Sequence, residues 1–84
     1  MTQEFYKGYR ITPILYSTPV NRWIPHGAIS RKEPDGSERE LRVSRSVAIA
    51  FDDKPEAEAF ALLMCRLSLD RYELPQRPGI INLE

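Results

Sequence analysis

Polar and apolar side chains alternate along the N-terminal part of the chain, and this two-residue period indicates β-strands. In FYKGYRITPILY, residues 5–16, Tyr9 and Ile11 alternate with polar or small neighbours, as in a half-buried strand. Pro13 has no N–H group to donate to a neighbouring strand, so the strand is predicted to bend there or to lie at a sheet edge. Residues 17–21 are then predicted to form a loop.

Two further strands flank the clearest turn in the sequence. The first covers about residues 22–31, and Pro25 within it favours a bulge or an edge position. Residues 33–37, EPDGS, contain the proline and the Asp-Gly pair that a tight reversal needs. In ELRVSRSVAIA, residues 40–50, every second position is apolar except Arg45, which predicts a third strand paired with the second. Arg45 is expected either at an opening in the inner face or on a one-residue bulge that turns it outward.

A long helix is predicted after the third strand. Asp53 is placed to cap it, Pro55 lies in its first turn, and Glu56 follows the cap by three residues. Good helix formers dominate residues 54–73, and Pro75 prevents further extension. About twenty residues at 1.5 Å each give roughly 30 Å, which is long enough to cross a three-stranded sheet.

These elements predict an α+β fold, a three-stranded antiparallel meander with one long C-terminal helix packed on one face, in the order β-β-β-α. Residues 1–74 are expected to form this single domain, and residues 75–84, PQRPGIINLE, an extended C-terminal tail. At 84 residues, folding buries only about 60–65% of the surface that the unfolded chain exposes, so added contacts with a partner would matter for stability.

The helix carries more apolar side chains than one face needs. At about 100° per residue, one group covers a third of the circumference and is predicted to pack on the sheet: Ala57, Phe60, Leu63, Met64 and Leu67. A second group lies on nearly the opposite side: Leu62, Cys65, Leu69 and Tyr72. We expect this second stripe to be the self-association surface of a homodimer. The alternatives are that the apolar residues of the tail fold back over it, or that it stays exposed.

Charge and composition narrow the function classes. Twelve Lys and Arg side chains balance twelve Asp and Glu side chains, so the whole chain has no net field that would attract nucleic acid or an anionic membrane. The first fifty residues carry three net positive charges and the remainder three net negative ones. The N-terminal stretch has no apolar run of signal-peptide length, and no segment is long enough to span a bilayer. We therefore expect a cytoplasmic protein without membrane contact.

The side chains that carry enzyme chemistry are few. Cys65 is the single cysteine, which excludes an internal disulfide, and it lies in an apolar run where a thiol acts as a small hydrophobe. With His26 as the single histidine, no Cys/His metal cluster of the usual spacing forms. The acidic side chains of residues 52–58 are explained by helix capping and the helix dipole. We therefore expect no catalytic residue, no metal site and no cofactor, and hence not an enzyme.

The face of the sheet away from the helix is a second candidate surface. Alternation places Arg10 of the first predicted strand and Arg42 of the third on this face, opposite the apolar positions. Trp23 lies on the neighbouring second strand, and Arg45 lies on the third. Arginine side chains mixed with an aromatic ring on an open sheet are suited to hold phosphates and to stack on a base. A solvated sheet face has much the same composition, so both interpretations stay open.

Four features of residues 20–65 carry a resemblance to a known domain: a tryptophan on the second strand, an Asp-Gly turn, an Arg/Ser-rich third strand, and AFDDKPEAEAFA opening the helix. They resemble the β-β-β-α arm-type DNA-binding domain at the start of phage-type integrases. The resemblance implies recognition of DNA by the sheet through Arg10, Trp23, Arg42 and Arg45. The opening YKGYRITP also resembles small uncharacterised bacterial β-β-β-α proteins, which implies no activity.

Two function classes follow from these patterns. The first is a small non-catalytic binding or assembly module that self-associates through the helix. The second is a nucleic-acid-binding domain that uses the exposed sheet face.

Overall fold

In a computed structural model, which describes residues 3–45, 49–71 and 79–83, the chain forms a five-stranded sheet with one helix across it. The elements are β1 (Glu4–Tyr6), β2 (Tyr9–Ser17), β3 (Trp23–Lys32), β4 (Glu38–Arg45), α1 (Lys54–Arg71) and β5 (Gly79–Leu83). Strands neighbour one another in chain order, with β1 to β4 antiparallel and β5 parallel to β4. The predicted α+β class, antiparallel meander and long helix are confirmed. The predicted number of strands, three, is wrong, because the sheet has five.

The predicted first strand, residues 5–16, is two strands joined by a tight hairpin. Tyr6 pairs with Tyr9, which leaves Lys7 and Gly8 as a two-residue loop. Both loop residues have positive φ, 51° and 82°, as a type I′ turn requires. Glycine takes such a φ without steric cost, whereas the lysine adopts it at some cost. The hairpin was missed because Lys-Gly is a weaker turn signal than Asn-Gly or Asp-Gly.

The bulge predicted near Pro25 is absent from the described ladders, since β2 and β3 pair without interruption from Arg10↔Ser30 to Ser17↔Trp23. The Trp23 amide donates to the Phe51 carbonyl at 2.8 Å, on the side of β3 that faces β4. Alternation points the ring nitrogen of Pro25 to the same side. The β3–β4 pairs begin only at Gly27↔Val43, so no described ladder hydrogen bond is lost at the proline.

The turn predicted at residues 33–37 is confirmed. Its backbone closes through the Ser37 carbonyl, which accepts from the Glu33 amide at 2.7 Å. The Asp35 carboxylate accepts from the Ser37 amide at 2.9 Å and from the Ser37 hydroxyl at 2.6 Å. These bonds fix the register of β3 and β4. The strand after the turn ends at Arg45, where the alternation is interrupted, and residues 46–48 lie outside the described part of the chain.

The helix begins at Lys54, as the capping pattern predicts, and its first i to i−4 bond joins the Ala57 amide to the Asp53 carbonyl at 3.1 Å. The predicted extended tail is wrong over residues 79–83, because these residues form β5 alongside β4. They therefore belong to the sheet and do not fold back over the helix. Residues 72–78 lie outside the described residues. No helix in the described ranges is long and apolar enough to cross a membrane.

Small side chains lie at the centre of the contact between helix and sheet. The buried helix residues are Ala57, Ala61, Leu62, Met64, Cys65 and Ser68, and the core also contains Ile11, Ile29 and Val43 from the strands. Leu63 of the predicted inner stripe is 43% exposed, whereas Leu62 of the predicted outer stripe is only 6% exposed. The predicted helix orientation is therefore wrong by about a quarter of a turn.

Gly27 in β3 accounts for this orientation. A Cβ atom at position 27 would overlap the Cys65 Sγ atom and would lie 3.4 Å from the Ala61 carbonyl oxygen. The helix thus lies so close to the strand that only small residues fit along the line of contact. Larger side chains pack on its two flanks, with Leu62 and Leu69 on one side and Phe60 on the other.

Candidate binding surface on the sheet

The helix covers one face of the sheet and leaves the other, the outer face, without a covering element among the described residues. The register of β2, β3 and β4 determines which side chains share the outer face. They are Arg10, Thr12, Ile14 and Tyr16 from β2; Ile24, His26, Ala28, Ser30 and Lys32 from β3; and Glu38, Glu40, Arg42 and Ser44 from β4. Phe5 of β1 joins them, because it pairs with Arg10.

Two of the four predicted nucleic-acid-facing residues, Arg10 and Arg42, lie together on the outer face. Trp23 was placed wrongly. It pairs with Ser17 on the helix-covered face, and the Lys54 Nζ atom lies 5.1 Å from the centroid of its ring. The odd-numbered side chains of β3 point to the helix, and the sequence alone did not predict which of the two alternating sets would do so. The side chain of Arg45 lies outside the described residues.

The three described residues of the predicted self-association stripe do not form an exposed apolar surface. Leu62 and Cys65 are buried, and Leu69 packs against the core. Tyr72 lies outside the described residues. The chain's own sheet thus covers the apolar surplus of the helix, because the close approach at Gly27 lets large side chains on both flanks reach the strands. A homodimer stays a prediction, but it loses this surface as its physical basis.

Exposed aromatic rings lie at opposite ends of the outer face. Phe5 is 80% exposed and Tyr16 is 52% exposed. Sequence reasoning missed both as binding residues. For Tyr16 the signal was present, since it has the same parity as Arg10 on one strand. For Phe5 the signal depended on recognising the Lys7-Gly8 turn, which reverses the chain and sets Phe5 beside Arg10.

Each outer-face arginine is paired with a glutamate. The Arg10 Nη2 atom lies 2.5 Å from the Glu38 Oε1 atom, and its Nε donates to the Ser30 hydroxyl at 3.2 Å. The Arg42 Nε atom lies 3.0 Å from the Glu40 Oε1 atom. These pairs are substantially solvent-exposed, and such pairs contribute only about 0–1 kcal/mol. Both guanidinium groups can therefore exchange their glutamate for a phosphate at small cost.

A cleft of about 300 Å³ lies at the Tyr16 end of the outer face, lined by Tyr16, His26, Arg42 and Ser44. The Tyr16 and His26 rings meet edge to face, with centroids 4.9 Å apart and an interplanar angle of 81°. Partial burial lowers the pKa of His26 below its usual 6.5, so the imidazole is neutral at pH 7. Another cleft, of about 350 Å³, surrounds Arg10 near Phe5 and Lys32.

Neither a reactive thiol nor a metal-binding cluster is found among the described residues. Burial raises the pKa of the Cys65 thiol to about 12, so it stays protonated and is a poor nucleophile. Its Sγ lies 3.8 Å from the Ala28 carbonyl oxygen, to which it donates weakly. Among the described residues, no three His, Cys, Asp or Glu side chains are placed to hold a metal ion.

Comparison with known proteins gives no significant match to a family model, a curated protein or a solved structure. The resemblance to arm-type DNA-binding domains therefore stays a prediction.

Proposed function

We propose that the chain is a non-catalytic module that binds single-stranded nucleic acid on the outer face of its sheet. The observation that carries the proposal is that exposed rings, Phe5 and Tyr16, flank two arginines, Arg10 and Arg42, on the face that the helix leaves open. The proposal places the module in the cytoplasm, where a buried reduced thiol is stable.

Single strands fit this surface better than duplex DNA. Stacking of an unpaired base on an aromatic ring contributes about 1–3 kcal/mol and tolerates any sequence, but the faces of paired bases are hidden in a duplex. The rings here lie on a broad sheet face that carries no helix among the described residues, since α1 packs on the opposite face. Arginines between the rings are placed to contact the phosphates that connect stacked bases.

The acidic partners set the strength of binding. Glu38 and Glu40 offset the arginines and reduce the positive potential of the face. We therefore expect modest affinity from two or three phosphate contacts. For single strands each contact contributes about −0.7 to the slope of log affinity against log salt. A fourfold rise in salt should then weaken binding about tenfold.

Fluorescence anisotropy with a labelled oligothymidylate of about ten nucleotides tests the proposal. Titrations at about 50 mM and about 200 mM salt should differ about tenfold in affinity. Arg42→Ala should weaken binding several-fold and reduce the salt slope by about 0.7, because one phosphate contact is lost.

Arg71→Ala is the matched control, since Arg71 is exposed in the last turn of α1, away from the outer face. Its affinity and salt slope should equal those of the wild type. Absence of binding at low salt, or equal losses in the two variants, would refute the proposal.

A further inference from the structure

The cleft lined by Tyr16, His26, Arg42 and Ser44 joins two kinds of contact that a nucleotide needs. Tyr16 supplies an exposed ring, and its edge-to-face contact with His26 holds that ring in a defined orientation. Arg42 supplies a guanidinium group at the same cleft. The single described ion pair of Arg42 is made by its Nε atom to Glu40.

We infer that this cleft binds one nucleotide unit, with the base against the Tyr16 ring and the phosphate against Arg42. The inference rests on the proposed function for the choice of nucleic acid, but it assigns the contacts to one end of the outer face. The shared chemistry is an aromatic base linked to a phosphate, supplied either by a free nucleotide or by one unit of a strand.

The size and chemistry of the cleft support a unit of this kind. A volume of about 300 Å³ is at the lower end for small-ligand pockets, which fits one nucleotide unit. His26 lies between the other two contacts in the sheet, because β3 runs between β2 and β4. As a neutral imidazole it has one N–H donor and one acceptor nitrogen, both suited to the polar edge of a base or sugar.

The cleft around Arg10 is the weaker candidate for the same role. Its guanidinium already makes two contacts, one to Glu38 and one to Ser30. Phe5, at its margin, lacks an aromatic partner among the described residues that would fix the orientation of its ring. We therefore assign the nucleotide unit to the Tyr16 end.

Proton NMR of the His26 ring tests the inference, because His26 is the single histidine of the chain and its resonances are assigned without ambiguity. Three ligands are titrated separately: thymidine, inorganic phosphate and thymidine 5′-monophosphate. The monophosphate should shift the His26 resonances in a saturable way, with an affinity at least about tenfold above that of either fragment. A response to inorganic phosphate as strong as that to the monophosphate would overturn the inference, since it would show an anion site without base recognition.

Substitutions separate the two halves of the cleft. Tyr16→Ala should weaken monophosphate binding about tenfold and Tyr16→Phe should restore it, because the phenyl ring keeps the stacking surface. Arg42→Ala should reduce the preference for the monophosphate over thymidine, whereas Arg71→Ala should behave as the wild type. Equal affinities of the Tyr16→Ala and Tyr16→Phe variants would overturn the stacking contact, provided that both retain the wild-type amide spectrum.

The failure of this inference differs from failure of the proposed function. If the oligothymidylate binds to the protein with the expected salt dependence and the monophosphate leaves His26 unaffected, the nucleotide cleft is wrong and the binding face stands. If the monophosphate binds and no oligonucleotide does, the ligand is a free nucleotide and the proposed function is wrong.

Discussion

The Cys65 Sγ atom lies in the space that a side chain at Gly27 would occupy. This contact sets the distance between α1 and β3, and it determines which helix residues reach the sheet. Ala57, Ala61 and Ser68 continue the same line of small side chains along the helix. Because α1 packs on this inner face of the sheet, no described helix covers the outer face.

A double-mutant cycle at these two positions tests the close approach. Gly27→Ala alone should lower the free energy of unfolding by about 1–3 kcal/mol, because the new methyl group overpacks the contact. In a Cys65→Ala background, Gly27→Ala should change the free energy of unfolding little or raise it by at most about 1 kcal/mol. The Sγ atom is then absent, and alanine restricts the unfolded backbone more than glycine does. Urea denaturation of the four proteins gives the coupling energy. Additive effects would show that the two residues do not meet.

The orientation of the helix is tested by two neighbouring leucines. Leu62→Ala should lower the free energy of unfolding by about 2–5 kcal/mol, because Leu62 is buried in the core. Leu63→Ala is the matched control and should cost less than about 1 kcal/mol, because Leu63 is largely solvent-exposed. Chemical denaturation measures both. A larger loss at Leu63 would instead support the stripe that simple helical periodicity predicts.

Helix periodicity located α1 correctly but not its buried face, for a physical reason. The prediction weighted large apolar side chains, whereas the line of closest contact is occupied by alanine, cysteine and serine. Ala57, Ala61, Cys65 and Ser68 recur at the spacing of one helix face, so the signal was present in the sequence. Its meaning depended on Gly27, whose position opposite the helix is a tertiary contact that no local pattern shows.

The strand pattern was more informative about the candidate site. Alternation placed Arg10 and Arg42 on the outer face because Ile11, Leu41 and Val43 mark the buried side of their strands. The position of Trp23 could not be predicted in this way, because β3 is buried at consecutive positions near Ala28. Such a run does not show whether the odd-numbered or the even-numbered side chains face the helix. Alternation also did not predict the fifth strand, because β5 pairs in parallel with β4 and the two are connected through α1.

Acid should weaken the attachment of the β1–β2 hairpin to the helix. The Asp70 carboxylate accepts from the Tyr6 hydroxyl at 3.0 Å and lies 2.5 Å from the Lys7 Nζ atom. The bond to Lys7 and then the bond to Tyr6 lower the pKa of Asp70 below its usual 3.8. The resulting stabilisation is present above the unfolded-state pKa and is lost as the pH falls through the lowered folded-state pKa.

Thermal unfolding between about pH 6 and about pH 2 measures this contribution. Asp70→Asn should lower the melting temperature at pH 6 and flatten its acid dependence below about pH 4. Tyr6→Phe, which removes one hydrogen bond and no charge, should give an intermediate result. An Asp70→Asn variant with the wild-type acid profile would show that the carboxylate does not hold the hairpin.

Removing the negative charge beside Arg42 should tighten binding of a single strand. Glu40→Gln eliminates the ion pair that a phosphate must displace, so the affinity for oligothymidylate should rise about two- to fivefold. Glu56→Gln, in the first turn of α1, is the control and should leave the affinity unchanged. Anisotropy titration at low salt makes the comparison. Unchanged or weaker binding by the Glu40→Gln variant would mean that Arg42 does not contact the strand.

Mapping of amide chemical shifts during an oligothymidylate titration tests most directly where the protein binds nucleic acid. We expect saturable shifts concentrated on outer-face residues of β2, β3 and β4, including Arg10, His26 and Arg42. Exposed helix positions such as Ala59 and Leu63, on the opposite side of the molecule, should keep their free-protein shifts. Shifts concentrated on α1, or a spectrum that oligothymidylate leaves unchanged at low salt, would contradict this expectation.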